Sequence, residues 1–381
     1  MPLKSFKIVF VSPFFPLKGG IARFSSTLRE VLLKQGHEVE AISFKRLYPK
    51  LLFRGKAVYE PGAFCNPQNG VLELLDMLNP LTWFAAARRI RRRKPDIILC
   101  AYWLGLFAPL YALFRVVSGR KVIVLMHNFT SHERFAGESM LRNLLIASAD
   151  GVVTLSEHVT RLVKQSYPEV PVKTLFHPVY KPEGARLPKE EACRMLGLDC
   201  SGPVLLFFGY VREYKGLDIL IDAMPEVIRR YPGTRLLIAG EFYYGEKMFR
   251  KRINSLGIEE HVKIYAEFVS GERMPLFFSA ADVVVLPYRE ASQSGVVQQA
   301  YGFGRPVIVS CKGGLPEAVR EGNTGTVFDA LDPEVLAERI CDFLSSVERI
   351  PYGENVERYA LELSWEAFAD KLEVFVEEVI A

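Results

Sequence analysis

The sequence has few of the features that mark a disulfide-rich, zinc-binding or fibrous protein. Its six cysteines are scattered through 381 residues without a Cys-x-x-Cys pair, which indicates neither a disulfide framework nor a zinc site and fits a reducing compartment. It has no low-complexity tract and no internal repeat of solenoid length. With 49% hydrophobic and 24% charged residues, a chain of this length predicts two globular domains.

Long uncharged runs are also scarce. Residues 8–17 follow two lysines as in a short signal peptide, but two prolines interrupt the run and no small-residue cleavage site follows. Residues 97–114 carry no charge, yet Gly105 and Pro109 divide them into a strand-like half and a helix-like half. The sequence therefore predicts a soluble, cytoplasmic protein.

Charge is distributed unevenly. Residues 1–180 carry 25 Lys and Arg against 12 Asp and Glu, whereas the rest of the chain is acidic. The basic half favours an anionic surface, for example the lipids at the inner face of the cell membrane, over nucleic acid. The densest run, residues 88–94, also fits a solvated helix end whose positive charges compensate the negative end of the helix dipole.

Short apolar runs alternate with helical patterns, which is typical of βαβ units and parallel sheets. The sequence thus predicts an α/β protein with two Rossmann-like domains that face each other across a cleft. The predicted strands are residues 7–11, 39–43, 97–103, 122–126 and 151–155, then 204–208, 235–239, 262–265, 283–286, 307–309 and 326–328.

Prolines and charges interrupt this rhythm after His177, and they set the predicted domain boundaries. The first domain is residues 1–178, residues 179–198 are a linker, and residues 199–363 form the second domain. The amphipathic helix at residues 364–381 either caps the second domain or crosses back to the first.

A loop with two cations opens the second domain. It runs from Gly209 through Arg212 and Lys215 to Gly216, between an apolar strand and a helix. The carboxyl end of a parallel strand is a common ligand site, and arginine and lysine there bind the oxygens of a diphosphate. Ordinary solvated cations on a surface loop are the competing interpretation.

A second loop of the same kind follows residues 283–286. A helix begins near Ser294 and Gly295, where free backbone N–H groups form an anion site. Gln298 and Gln299 are polar residues inside an otherwise apolar helix. They follow the helix start by about one turn, so we expect one of them within reach of a ligand's sugar hydroxyls.

Together with Gly19 and Gly20, these loops resemble the retaining GT-B glycosyltransferases of family 4. In that family a glycine-rich loop after the first strand closes on the donor diphosphate, although Gly19 and Gly20 also fit an ordinary turn. Gly209, Lys215 and Gly216 match the family's spacing. The family's arginine follows the glycine directly, and that position is Tyr210 here, so the resemblance assigns its role to Arg212, two residues later.

The chain departs from the family's pair of glutamates separated by seven residues. Counting back from the Gly-x-Pro at residues 304–306, their positions are held by Ala291 and Gln299. Gln299 can still bond ribose hydroxyls, and Glu290 can serve the donor sugar if the loop shifts by one residue. The Gln-Ser-Gly of residues 293–295 resembles a branch of the family, which implies donor binding by Gln293, Ser294, Gly295 and Val296.

The resemblance implies two further sites. Phe268 and Val269 occupy the place where the family's backbone contacts the base, although a core strand end is equally consistent. His127 follows a predicted strand at the edge where the family often has a histidine beside the donor sugar. An isolated histidine is usually structural, but the position of His127 favours a site role.

The implied function is transfer of a hexose, with retention, from a nucleoside diphosphate sugar such as a UDP-sugar to a glycan or lipid-linked acceptor in polysaccharide or glycolipid assembly. His127, Arg212, Lys215 and Glu290 are the predicted catalytic residues, and no metal or cofactor is expected. Two alternatives stay open: a sugar-nucleotide epimerase or phosphorylase on the same architecture, and a non-catalytic partner of another transferase, favoured by the missing glutamates. No Gly-x-Gly-x-x-Gly follows the first strand, so a dehydrogenase is disfavoured.

Overall fold

The computed structural model describes residues 5–47, 59, 70–130 and 137–381. The chain forms two compact units. The first contains the residues up to Phe176 together with Trp365–Ala381, and the second is His177–Ser364. Each unit has its own parallel sheet with helices, as the sequence predicts.

The sheet of the first unit has seven strands in the order β3-β2-β1-β4-β5-β6-β7, and the pairs are parallel. Strands β1, β4 and β5 are buried almost throughout, because helices cover parallel sheets on both faces. The strands are β1 Lys7–Val11, β2 Glu38–Arg46, β3 Val71–Asp76, β4 Ile97–Tyr102, β5 Val122–Met126, β6 Gly151–Thr154 and β7 Val172–Thr174.

The sheet of the second unit has six strands in the order β10-β9-β8-β11-β12-β13, again parallel. Its central strands β8 and β11 are fully buried. The strands are β8 Val204–Phe208, β9 Arg235–Ala239, β10 Val262–Tyr265, β11 Val283–Leu286, β12 Val307–Ser310 and β13 Gly325–Phe328.

Helices connect the strands in both units. Those of the first unit are α1 Gly20–Lys34, α2 Pro80–Arg93, α3 Ala108–Ser118, α4 Glu138–Ala147, α5 Glu157–Ser166 and the terminal helix α13 Trp365–Ile380. Those of the second unit are α6 Lys189–Met195, α7 Leu217–Arg230, α8 Glu246–Leu256, α9 Met274–Ala280, α10 Gly295–Gly302, α11 Pro333–Ser346 and α12 Tyr352–Glu362. Single 3₁₀ turns lie at Gly105–Phe107, Glu213–Lys215, Glu259–His261, Gly271–Arg273 and Pro316–Ala318.

The two units divide the chain close to the predicted boundaries, after Phe176 and after Ser364, but they group its segments differently. Residues 179–198, the predicted linker, belong to the second unit, and α6 within them packs on α9. The terminal helix α13 belongs to the first unit and packs on α1, so it crosses back rather than capping the second domain. None of the helices in the described part of the chain is long and apolar enough to cross a membrane.

A buried polar pair holds α13 to the first unit. The backbone N–H of Phe6 donates to Nδ1 of His37 (3.2 Å), so the ring proton is on Nε2, which donates to Oε1 of Glu373 (2.6 Å). The side chains of both residues are buried. Lys121 then bonds the last carbonyls of the helix, at Val379 and Ile380.

Replacing Glu373 by alanine is expected to lower the free energy of unfolding by about 2 to 3 kcal/mol, because the buried N–H of His37 loses its acceptor. Chemical denaturation measures this loss. Glu373→Gln retains an acceptor oxygen and should recover most of the stability. Glu377→Ala, an exposed change on the same helix, is the control and should stay within about 0.5 kcal/mol of the wild type. Equal stability of the two alanine variants would contradict a stabilising role for the pair.

One cysteine pair corrects the sequence analysis, which indicated no disulfide. Cys193 at the end of α6 is bonded to Cys200 in the loop before β8, with their Cα atoms 6.1 Å apart. This separation is in the usual range for a disulfide. The spacing of seven residues matches no short cysteine motif, so no signal for this pair was present in the sequence. Cys100, Cys311 and Cys341 are free thiols, and Cys65 lies outside the described residues.

Candidate donor site

In each sheet the strand order reverses at one point, and predicted site residues lie in the loops beside that point. In the second unit the reversal lies between β8 and β11, and in the first between β1 and β4. Ligands of open parallel sheets bind at the carboxyl ends of the strands beside such a point. The loop with Lys215 follows β8, the loop with Ser294 follows β11, and Gly19 follows β1.

Close backbone contacts fix the two loops of the second unit against each other. Gly216 has a φ of +65°, and a Cβ atom on it would lie 2.0 Å from the carbonyl oxygen of Pro287. The backbone N–H of Arg289 donates to the carbonyl of Tyr214 (2.6 Å). Only glycine permits this approach at position 216, so the Lys-Gly pair serves the geometry as well as the charge.

Lys215 lies at the centre of the two loops. A Cβ atom on Gly209 would be 3.1 Å from Nζ of Lys215 and 3.6 Å from Val296 at the start of α10. The ammonium group also lies over the ring of Tyr288, 5.2 Å from its centroid. The structure therefore brings Gly209, Lys215 and the first turn of α10 together, as the sequence analysis expected of a diphosphate site.

The electrostatics of Lys215 are those of a buried cation. The residue is 7% exposed, and burial first, then the positive charge of Arg212, lowers its pKa from 10.5 to about 7. It follows that Arg212 is near enough to act on Lys215 electrostatically. A cation held with so little solvent is poised to be stabilised by an anionic ligand.

Arg212 belongs to an aromatic group beside this cation. Its guanidinium lies over the ring of Tyr243, 4.5 Å from the centroid. Tyr210, which occupies the family's arginine position, packs edge-on against Tyr243 and stacks on Phe268 at 6.2 Å. Phe268 is half-buried, and the next residue, Val269, is buried.

The helix start at Ser294 matches the sequence prediction. The Ser294 side chain caps α10 by accepting from the N–H of Val296 (3.2 Å), and Gly295 is the first helical residue. Gln293 precedes the cap. Among the described residues, the buried amide oxygens of Gln293, Gln298 and Gln299 have no hydrogen-bond partner. Buried polar atoms are rarely left unbonded, so each of these amides has bonding capacity that a ligand could use.

The loop ahead of Ser294 is anchored through the backbone of Ala291. Ala291 is buried, its carbonyl accepts from the N–H of Gly314 (3.0 Å), and a Cβ on Gly313 would lie 1.7 Å from that carbonyl oxygen. Glu290 is exposed, next to Arg289, which binds the carboxylate of Asp218. The structure thus places Glu290 on the solvent side of this loop and the amide of Gln293 on its buried side.

In the first unit the predicted residues lie around α1. Gly19 caps this helix with a φ of +132°, and a Cβ on Gly19 or Gly20 would meet no atom within 4 Å. His127 is buried after β5, and its backbone N–H donates to the carbonyl of Tyr102 (2.8 Å). Its ring packs edge-on against Phe24 of α1, with 5.0 Å between centroids.

Sequence reasoning missed three residues of the second unit. The ring of Tyr288 lies beneath Lys215. Gly313 contacts the loop between β11 and α10, residues 287–294, which is the donor loop. His177 is buried, burial lowers its pKa to about 4, and its Nε2 would be 3.6 Å from a Cβ on Gly295. Gly313 and Gly314 follow the carboxyl end of β12 as Gly19 and Gly20 follow β1, so a signal for this loop was present in the sequence.

Two family models match the chain in separate halves. Residues 18–179 match Glycosyltransferase Family 4, and residues 202–346 match Glycosyl transferases group 1. The chain carries two glycosyltransferase domains. Within the described residues of this glycosyltransferase, no group of three or more His, Cys, Asp or Glu side chains could hold a metal ion.

Named relatives extend along most of the glycosyltransferase. It is 25% identical over 368 residues to spore coat protein SA of Bacillus subtilis, and the matched region covers 88% of each chain. It is 27% identical over 363 residues, 90% of each chain, to the GDP-mannose-dependent alpha-(1-6)-phosphatidylinositol monomannoside mannosyltransferase of Mycolicibacterium smegmatis. Its fold matches that of HepE from Anabaena, solved in complex with UDP and glucose, with a TM-score of 0.73, 17% identity and 98% and 99% of the two chains covered. This solved structure has the GT-B fold, and the chain shares it.

Proposed function

We propose that the protein transfers a hexose from a nucleoside diphosphate sugar to a glycan or lipid-linked acceptor, with retention at the anomeric carbon. The observation that carries this proposal is the buried Lys215 beside Arg212, facing the first turn of α10. Two cations and a helix start supply positive charge for a diphosphate without a metal. The proposed reaction therefore needs neither a metal nor a cofactor.

The two cations would act on the leaving group. When the bond between the anomeric carbon and the diphosphate oxygen breaks, the bonding electrons stay on that oxygen as negative charge. Lys215 and Arg212 would stabilise this charge in a site with little water, where such an interaction is strong. The acceptor hydroxyl forms the new bond to the anomeric carbon and releases its proton to solvent or to the departing diphosphate.

The remaining predicted residues would bind and orient the donor. The amides of Gln293 and Gln299 offer both donors and acceptors to sugar hydroxyls, and Phe268 with Val269 would contact the base. Gly209 and Gly295 leave room for phosphate oxygens near backbone N–H groups. Glu290 would reach the donor sugar only after the loop moves, because its side chain lies on the exposed side. Gly19, Gly20 and His127 would contact the donor as the resemblance implies, and the first unit would receive the acceptor.

A second candidate is a non-catalytic partner that binds a nucleotide sugar. The feature in its favour is the absence of both glutamates of the family pair, since Ala291 and Gln299 hold their positions. Neither residue carries the charge that a glutamate brings to the donor sugar.

Donor hydrolysis separates the two candidates. The pure protein is incubated with UDP-, GDP- and ADP-hexoses, with and without EDTA and with a membrane lipid extract as acceptor, while nucleotide release and sugar transfer are measured. We expect one donor to be turned over, equally with EDTA present, with the product in the donor's anomeric configuration. Tight binding of a donor without turnover under every condition would favour the non-catalytic partner.

Diphosphate binding is expected to weaken at alkaline pH. Lys215 has a pKa of about 7 in the free protein, and a bound diphosphate favours its charged form. Binding therefore takes up a proton, and the Kd for UDP should rise by up to about tenfold per pH unit above pH 7. Calorimetry in buffers of different ionisation enthalpy measures the proton uptake. In Lys215→Met, UDP affinity should not change over the same range, and an unchanged slope in that variant would assign the proton to another group.

A further inference from the structure

The loop after β8 continues the pairing with the chain after β9 beyond the end of both strands. The backbone N–H of Val211 donates to the carbonyl of Glu241 (2.9 Å), and the N–H of Tyr243 donates to the carbonyl of Val211 (3.1 Å). Val211 and Phe242 form a parallel bridge. The backbone on either side of Val211 is therefore fixed against the loop that follows β9.

This pairing decides which side chains share a face. Val211 is buried in the core of the second unit, and Phe242 packs against that core. Successive side chains of an extended segment point to opposite sides, and Arg212 is extended, with a φ of −126° and a ψ of 156°. The residues that flank the bridge, Tyr210 and Arg212 on one segment and Tyr243 on the other, therefore lie on the face opposite the core.

The shared face accounts for the displaced arginine. In the family that the chain resembles, the arginine follows the glycine directly, at the position of Tyr210. A shift of two residues moves a side chain by about 7 Å along an extended segment but leaves it on the same face. A shift of one residue would have turned it into the core. Arg212 can therefore serve the same side of the loop as an arginine at position 210.

The ring of Tyr243 holds the displaced side chain. The guanidinium of Arg212 lies over this ring, 4.5 Å from its centroid, and Tyr210 packs edge-on against the same ring at 5.2 Å. A guanidinium stacks on an aromatic face through its charge and its plane, and this contact restricts a long side chain that otherwise has many rotamers. The half-buried ring thus selects one place for the charge of Arg212.

We propose that Tyr243 is a positioning residue, which holds the guanidinium of Arg212 where it can bind a diphosphate beside Lys215. The role of Arg212 towards the diphosphate rests on the proposed function, whereas its placement by Tyr243 is a property of the free protein. Loss of the ring would leave the positive charge on the loop but release it from this place.

Lys215 reports on the place of Arg212 without any ligand. Burial first, then the charge of Arg212, lowers the pKa of Lys215 to about 7, so this pKa should rise when the arginine moves away. Titratable groups around the two cations include the hydroxyls of Tyr214 and Tyr288 and, in the loop after β9, the carboxylate of Glu241. Burial raises the pKa of both hydroxyls, so they stay uncharged while Lys215 titrates.

Two measurements on the full chain test the proposal. NMR of isotope-labelled lysine follows the pKa of Lys215, with Lys215→Met to identify its signal, and calorimetry gives the Kd for UDP. Tyr243→Leu should raise this pKa as much as Arg212→Ala does and weaken UDP binding by about tenfold, the cost of a hydrogen bond to a charged group. Tyr243→Phe retains the ring, so its Kd should stay within about threefold of the wild type.

The neighbouring tyrosine is the matched control. Tyr244 is also half-buried, but its ring packs on Phe249 of α8. Tyr244→Leu makes the same chemical change one residue away and should leave both the pKa of Lys215 and the Kd for UDP as in the wild type.

A double variant separates positioning from altered hydration of Lys215. If Tyr243 acts through Arg212, adding Tyr243→Leu to Arg212→Ala should change neither quantity further. A further rise of the pKa in the double variant, or an unchanged pKa in Tyr243→Leu alone, would overturn the proposal. A wild type that binds no UDP would count against the proposed transferase function, and the titration of Lys215 would still decide whether Tyr243 places Arg212.

Discussion

The Lys215→Met variant is expected to transfer sugar with a kcat/KM about 100- to 1,000-fold below the wild type while keeping its fold. Methionine retains the unbranched stem but removes the charge that would stabilise the leaving diphosphate. Steady-state kinetics with the best donor measure the loss. We expect kcat to fall as well as KM to rise, because the charge on the departing oxygen is larger in the transition state than in the bound donor.

Stability distinguishes this result from simple unfolding. Burial lowers the pKa of Lys215 from 10.5 to about 7, so charging it costs the folded protein stability. This cost is complete below about pH 7 and disappears as the pH rises towards 10.5, where the unfolded chain also loses the proton. The methionine variant should therefore be at least as stable as the wild type at pH 7. The activity control is Lys247→Met, which changes an exposed lysine on α8. A kcat/KM within about threefold of the wild type for Lys215→Met would contradict the proposed role of Lys215 in stabilising the diphosphate.

The second large effect is expected at Gly313, which contacts no substrate in the proposed site. Its φ is +60°, and the Cβ of alanine would lie 1.7 Å from the carbonyl oxygen of Ala291. The donor loop has to move away, and with it Gln293 and the start of α10. We expect Gly313→Ala to lower kcat/KM by about 100-fold and the free energy of unfolding by about 3 kcal/mol.

Gly322→Ala is the matched control for this change. Gly322 has nearly the same backbone conformation, with a φ of +66°, but its Cβ would meet no atom within 4 Å. It should cost only about 1 kcal/mol of stability and leave kcat/KM unchanged. Equal activity of the two variants would mean that the close contact at Ala291 does not position the donor loop.

The sequence predicted the central strands of both sheets well, because each is a short apolar run between turn residues. Five of them, including β1 and β8, have the predicted bounds. It missed β3 and β7, which lie towards the edges of the first sheet and carry polar residues. One interpretation of the arginine run at residues 88–94, a solvated helix end, is confirmed, since α2 continues to Arg93.

The candidate site could be predicted only where charge or glycine marks it. Lys215 and Ser294 were identified from strand ends followed by helix starts, and the structure places Lys215 near the first turn of α10. The contact of Gly313 with Ala291 joins residues from different strand ends, and no local pattern encodes it. The sequence analysis also missed the Cys193–Cys200 disulfide and the hydrogen bond between His37 and Glu373. Both depend on where the folded chain brings side chains together.

The return of α13 to the first unit has a consequence for the order of folding during synthesis. The second unit lies between two segments of the first, so its residues leave the ribosome before the final seventeen residues do. Until Glu373 emerges, His37 lacks its acceptor and the face of α1 that receives α13 stays open. Although it starts first, the first unit is completed after the second, and a chain truncated after residue 364 should contain a folded second unit and an incomplete first one.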